Sequence, residues 1–140
     1  MTYAGVLEKL RANSYHWTVT GGAGFIGSHL VEELLKNDQH VIVLDNFSSG
    51  HESNLNAIKS KVSTLNWQKL HVIRGDITNL EDCKRAVVGS DFVLHQAAMG
   101  SVPRSIEDPI LFHQANVNGF MSILKAATDA KVKKFVFASS

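Results

Sequence analysis

The feature that most constrains this chain is the octapeptide Thr20-Gly-Gly-Ala-Gly-Phe-Ile-Gly27, in which Gly21, Gly24 and Gly27 recur every third residue. A short β-type run, His16-Trp17-Thr18-Val19-Thr20, leads into it. A helical pattern follows, with Ile26, Leu30 and Leu34 on one stripe and Val31 and Leu35 beside them. A second apolar run, His40-Val41-Ile42-Val43-Leu44, ends at Asp45. Strand, glycine turn, helix and strand make a βαβ unit. Glycine is needed there for a tight turn, for close approach of backbone to a phosphate, and for close packing of helix on sheet. The helix N-terminus offers free N–H groups and a partial positive charge to an anion. A flexible glycine loop without a ligand would look similar in isolation, but strand, helix and strand-end acid surround this one.

The alternation continues along the chain. Ser49-x-x-Glu52 reads as a capping box opening a helix to about residue 62, and residues 70–74 as a third strand. Thr78-x-x-Glu81 is expected to cap a short helix towards residue 87, and residues 91–96 to form a fourth strand. Asp108 before Pro109 suits an N-cap and first helical position, opening a long helix to about residue 129. Residues 134–138 are a fifth strand. The expected fold class is α/β, a Rossmann-type doubly wound parallel sheet. Residues 1–15 read as an N-terminal helical extension and 16–140 as the dinucleotide-binding domain. The sequence stops at Ser139-Ser140, directly after a strand that would normally feed another crossover, so the domain is expected to be incomplete.

Composition narrows the partners. Fourteen Lys and Arg against thirteen Asp and Glu leave a formal charge of +1, which gives no broad basic field for nucleic acid or an anionic membrane. The longest stretch without a charged residue, 12–31, is interrupted by Gly, His, Thr, Ser and Asn and does not read as a membrane span. No secretory signal pattern precedes it. A single cysteine, Cys83, excludes an internal disulfide and a cysteine-based zinc site, and the seven His show no metal-ligand spacing. A soluble, cytosolic type of domain is expected.

Asp45 lies 24 residues after Gly21, at the end of the second strand. A carboxylate there accepts both hydroxyls of an adenosine ribose, and no Lys or Arg follows within ten positions to meet a 2′-phosphate. That favours NAD over NADP, although a turn-forming Asp beside Asn46 is the plain alternative. Asp76 could meet an adenine amino group with Ile77 against the ring, and an ordinary strand-to-helix turn explains Gly75-Asp76-Ile77 equally well. Small residues after His95, in Gln96-Ala97-Ala98, admit a flat ligand or simply tight packing. Asn116, within the long helix, either holds a backbone carbonyl or faces solvent.

Together Thr20–Gly27, Leu44-Asp-Asn-Phe47, Gly75-Asp-Ile77, His95-Gln-Ala-Ala98 and Phe135-Val-Phe-Ala-Ser-Ser140 resemble the extended short-chain dehydrogenase/reductase family, and within it the NAD-dependent nucleotide-sugar epimerases. The segment Leu94-His-Gln-Ala-Ala-Met-Gly-Ser-Val-Pro-Arg-Ser-Ile-Glu-Asp-Pro109 is similar to bacterial UDP-N-acetylglucosamine 4-epimerases of surface polysaccharide synthesis. The resemblance spans essentially the whole chain. It implies that Gly21, Gly24, Phe25 and Ile26 line the cofactor's pyrophosphate, and that Asp45, Asn46, Ser49 and Gly50 surround the adenosine ribose. Asp76 and Ile77 would meet adenine, and Gln96, Ala97 and Ala98 would pass beneath the nicotinamide ribose. Gly100, Ser101 and Val102 would lie near the sugar, and Ser140 would be the catalytic hydroxyl on the sugar's 4-OH. Asn116 matches a structural Asn. NAD is the implied cofactor, a UDP-sugar the substrate, and a cytoplasmic homodimer the full-length state.

The family's Tyr-x-x-x-Lys pair would fall downstream of Ser140 and has no counterpart in these 140 residues, so the chain alone is expected to lack turnover. Other nucleotide-sugar epimerases, dehydratases and decarboxylases share this half, and a non-catalytic NAD-binding fragment is a further alternative.

Overall fold

Each apolar run becomes a strand. The computed structural model describes residues 2–139. Its strands are β1 (His16–Thr20), β2 (His40–Asp45), β3 (Leu70–Arg74), β4 (Phe92–His95) and β5 (Lys134–Phe137). All neighbours are parallel, in the order β3-β2-β1-β4-β5. The chain winds outward from β1 to β3, then returns to lay β4 and β5 on the other side. This reversal opens a crevice at the C-terminal ends of β1 and β4, where open α/β sheets bind ligands.

The helices are α1 (Tyr3–Arg11), α2 (Phe25–Lys36), α3 (Glu52–Lys59), α4 (Thr64–Trp67), α5 (Leu80–Val87), α6 (Val102–Glu107), α7 (Pro109–His113) and α8 (Gly119–Asp129). Both sheet faces are covered. One apolar layer joins Val31, Leu34 and Leu35 of α2 and Leu55 and Ile58 of α3 to Val19, Val41 and Val43. The other joins Ala86 and Val87 of α5 and Ile123, Ala126 and Ala127 of α8 to Leu44 and Val93. Two-sided burial explains the near-continuous apolar run of the central strand β2, whereas the edge strands β3 and β5 contain no buried residue.

Helix α1 buries none of its residues and is tied down by polar contacts. The fully buried Gln39 amide donates to the carbonyls of Leu10, Asn13 and Asn37 and accepts from Tyr15 N and Trp17 Nε1. Sequence periodicity contains no hint of this clasp, because it depends on one side chain reaching across 29 residues.

Three helix expectations need correction, and one helix is new. The helix after β2 does not start at a Ser49 capping box: its N-cap is His51, without a side-chain cap bond, and it ends at Lys59 with α4 separate. Thr78 does not cap α5. Its amide and hydroxyl both donate to Asp76 Oδ1, and Asn79 caps instead, accepting from Glu81 N and Asp82 N. The long helix opens at Asp108-Pro109 as expected, with Asp108 accepting from Leu111 N at 3.0 Å, but it is interrupted by a π-helical turn, Gln114–Asn118. Helix α6 was not anticipated at all. Its six residues are too few to show a period, although Ser101 caps Arg104 N and Pro103 lies in its first turn.

Candidate functional site

The crevice is a cleft of about 620 Å³ floored by the glycine turn. Gly21 has a φ of +68°, in the left-handed region, and its N–H donates to Leu44 O at 2.9 Å, binding the turn to the end of β2. A Cβ on Gly21 would come within 2.7 Å of Ala97 N, so the turn lies hard against the segment leaving β4. A Cβ on Gly27 would overlap the carbonyl oxygen of Gly21. The spaced glycines therefore let the first turn of α2 sit directly on the preceding loop. Gly24, the N-cap of α2, supplies no side-chain acceptor, and Phe25 and Ile26 behind it are exposed. Their N–H groups have no helical partner and turn the positive end of the helix dipole towards the cleft.

All thirteen cofactor candidates from the sequence line this one cleft. Gly21, Gly24, Phe25 and Ile26 form its floor, with Asp45, Asn46, Ser49 and Gly50 after β2. Asp76 and Ile77 follow β3, and Gln96, Ala97 and Ala98 follow β4. Gly100, Ser101 and Val102 are not part of the lining: Ser101 turns its hydroxyl to Arg104 N, and Val102 is 75% exposed. Ser140 lies outside the described residues. Sequence reading missed Ser48, Thr78, Met99, Arg104, Gln114 and Ala138 as further lining residues, which only the tertiary fold brings there.

The two acids of the cleft carry structural bonds of their own. Asp45, 8% exposed, accepts Ala23 N on one oxygen at 2.9 Å and Phe47 N on the other at 2.8 Å. It thus clamps the glycine turn to the loop after β2, and each oxygen retains capacity for another donor such as a ribose hydroxyl. Asp76 accepts from Thr78 and, at 2.7 Å, from Asn46 Nδ2. Partial burial works to raise its pKa, but these hydrogen bonds outweigh it and hold the carboxyl below its ordinary value.

Thr20 and His95 join β1 to β4 at the head of the crevice. The Thr20 hydroxyl accepts Gln96 N and Ala97 N, each at 3.2 Å, which leaves its proton for His95 Nδ1 at 2.6 Å. That bond requires a neutral ring. Burial beside Phe120 and Phe135 enforces it, pushing the His95 pKa down to about 4. Cys83 is also buried, donates to Ile77 O, and has its pKa pushed up to about 12 by burial, so it behaves as a small core residue. Asn116 faces neither sheet nor open solvent alone. From the π turn it accepts Met99 N at 2.7 Å and donates to Met99 O at 2.9 Å, pinning the loop after β4.

These features fit a dinucleotide. The turn leaves no room for a Cβ at Gly27, the α2 amides are free, and a carboxylate ends β2 where a 2′-phosphate would be repelled. Arg74, the basic residue nearest in sequence to the adenosine side, is already paired with Glu52 and stacked 4.1 Å over Phe47. No group of three or more potential metal ligands occurs among the described residues, and no helix among them is long and apolar enough to cross a membrane.

Comparison with known proteins agrees with this geometry. Residues 17–140 match the model of the NAD dependent epimerase/dehydratase family. The chain is 38% identical over 125 residues to UDP-glucose 4-epimerase of Yersinia enterocolitica, covering 87% of this chain and 36% of that protein. It superposes on UDP-N-acetylglucosamine 4-epimerase of Methanobrevibacter ruminantium, solved with UDP-N-acetylmuramic acid, with a TM-score of 0.79 at 34% identity, over 91% of this chain and 38% of the other. The UDP-glucose 4-epimerase of Thermus thermophilus, solved with NAD, gives a TM-score of 0.74 at 39% identity, over 89% and 37%. The chain therefore spans little more than a third of the relatives it matches. Glycine turn, strand-end acid and sheet order converge with these matches: the chain belongs to the NAD-dependent epimerase/dehydratase family, whose cofactor is NAD.

Proposed function

We propose that the chain is the NAD-binding portion of a UDP-N-acetylglucosamine/UDP-N-acetylgalactosamine 4-epimerase that works through a transient 4-keto sugar in surface polysaccharide synthesis. The observation that carries the cofactor half of this reading is the single cleft shared by the glycine turn, Asp45, Asp76 and Gln96–Ala98. Bound NAD supplies a reversible hydride acceptor. The chain's residues bind and orient it: the α2 amides hold its phosphates, Asp45 its adenosine ribose, Asp76 and Ile77 its adenine. Thr20 and His95 fix the backbone of Gln96–Ala98 beneath the nicotinamide ribose. Ser140 holds the sugar's 4-hydroxyl, with Gly100, Ser101 and Val102 beside the sugar.

Neither tyrosine of the chain serves as the proton acceptor. Tyr3 donates to Glu33 on the surface, and Tyr15 packs edge-on against Phe92 before β1 begins. Five strand residues, about 16 Å, separate Tyr15 from the cleft. The reading therefore includes no turnover by these 140 residues alone, and a cytoplasmic homodimer for the full-length protein. The similarity to the Yersinia UDP-glucose 4-epimerase supports a second reading, a UDP-glucose 4-epimerase, and the family's description also includes dehydratases.

Calorimetric titration of the chain with NAD and NADP, beside Asp45→Ala, tests the cofactor half. NAD should bind, NADP should bind at least about tenfold more weakly, and Asp45→Ala should lose both affinity and discrimination. A folded chain that binds neither dinucleotide overturns the reading. Assay of the full-length protein with UDP-N-acetylglucosamine and UDP-glucose separates the two substrates.

A further inference from the structure

The cleft carries an unbalanced charge. Among the described residues that line it, the acids are Asp45 and Asp76 and the only basic side chain is Arg104. Both carboxylates already accept internal donors. The chain has four arginines, and three are committed: Arg11 donates to Asn37, Arg74 pairs with Glu52, and Arg85 pairs with Asp82. Arg104 touches a side chain only through its backbone N–H, to Ser101 Oγ, and no described carboxylate pairs with its guanidinium.

A dinucleotide brings a pyrophosphate of two negative charges into this cleft. Against it stand two carboxylates, and the N-terminus of α2 offsets only about half a charge. A guanidinium on the opposite wall, on α6, supplies the missing cation and forms forked hydrogen bonds to phosphate oxygens. We propose that Arg104 is a cofactor-positioning residue that binds the NAD pyrophosphate, drawing α6 against the cofactor. The proposal rests on the cofactor reading above. The dinucleotide's phosphates are favoured over those of a sugar nucleotide because Arg104 shares the cleft with Gly24, Phe25 and Ile26, whereas Gly100, Ser101 and Val102 lie outside its lining.

The test is calorimetric titration of the wild-type chain, Arg104→Gln and Arg104→Lys with NAD, adenosine and UDP at low and high salt. Circular dichroism confirms that each variant is folded, which the exposed position of Arg104 favours. Arg104→Gln should weaken NAD about tenfold, the worth of one charge-assisted hydrogen bond, and Arg104→Lys should recover part of it. Adenosine, which has no phosphate, should bind all three alike, and the salt dependence of NAD binding should flatten in Arg104→Gln. A purely structural role would weaken adenosine as well and leave the salt dependence unchanged, which overturns the proposal. So does unchanged NAD affinity in Arg104→Gln, or a loss confined to UDP. Failure of the wild type to bind NAD overturns the cofactor reading and this proposal together, whereas wild-type binding with an indifferent Arg104→Gln overturns this proposal alone.

Discussion

The two walls of the cleft are built by opposite means. The glycine-turn wall is fixed by backbone: Gly21 N on Leu44 O, Gly24 N on Gly21 O, and Asp45 bridging Ala23 and Phe47. A Cβ on Gly21, Gly22 or Gly27 would come within 2.7 Å of a neighbouring atom. The wall after β4 has room around it: a Cβ on Gly100 would meet nothing within 4 Å, and Val102 and Ile106 are exposed. Beyond Ala97, side-chain bonds hold it, with Asn116 gripping both backbone groups of Met99 and Ser101 capping α6. One wall is a rigid backbone cradle, and the other is a cover held by few contacts. Preorganisation is concentrated at the glycine turn, and latitude in the segment that follows β4.

The sharpest way to break this comparison is to add one methyl group to each wall. Gly27→Ala should destabilise the chain by about 4 kcal/mol or prevent folding, because the Cβ collides with backbone that cannot move away. Gly100→Ala should stay within about 0.5 kcal/mol of wild type in urea unfolding. Similar midpoints for the two variants would erase the distinction.

A smaller effect is expected at the joint between the walls. The His95 pKa is about 4 in the folded chain against the ordinary 6.5, so the unfolded chain binds more protons between those values. The contribution of the neutral ring is therefore complete above pH 6.5 and is lost as pH falls towards 4, amounting to about 3 kcal/mol. Stability measured from pH 7 to 4 should drop more steeply in wild type than in His95→Gln. Parallel curves would show that the ring is not held neutral.

The smallest effect should come from Asn116→Ala. Loss of two exposed hydrogen bonds should cost about 1 kcal/mol globally. Amide exchange should quicken around residues 99–104 while the glycine turn stays protected. Equal quickening in both walls would mean that the cover is not independently mobile.

The same contrast separates what sequence could reveal from what it could not. Strand β3 was legible to the residue although it is a half-exposed edge strand, because its short run of Leu70, Val72 and Ile73 is ended by the turn residues Gly75-Asp76. The glycine turn was legible because its chemistry is local. The caps were less so: Thr78 and Asn79 are adjacent candidates, and the choice was made by Asp76, which occupies Thr78. Equally, Asn54 donates its side-chain amide to Ala23 O at 2.8 Å, a contact across 31 residues that fixes the first turn of α3 beyond the reach of Ser49. Helix α6 and the π turn belong to the cover, where a grip between Asn116 and Met99, 17 residues apart, decides the backbone. Of the cleft lining, the glycine floor and strand-end acids were readable, and Arg104 and Gln114 were not. No spacing rule connects a residue on α6 or in the π turn to the turn after β1.

The bond between Thr20 and His95 spans 75 residues. As the chain leaves the ribosome, β1, α2, β2 and β3 can associate through comparatively local crossovers, but no crevice exists until β4 emerges and inserts beside β1. Closing so long a loop is costly and slow relative to the pairings that precede it. The cofactor therefore has nothing to bind until β4 has emerged and cannot template the pairing of β1, β2 and β3. Its stabilising effect arrives only once β4 is in place, as a lock on strands that have already paired.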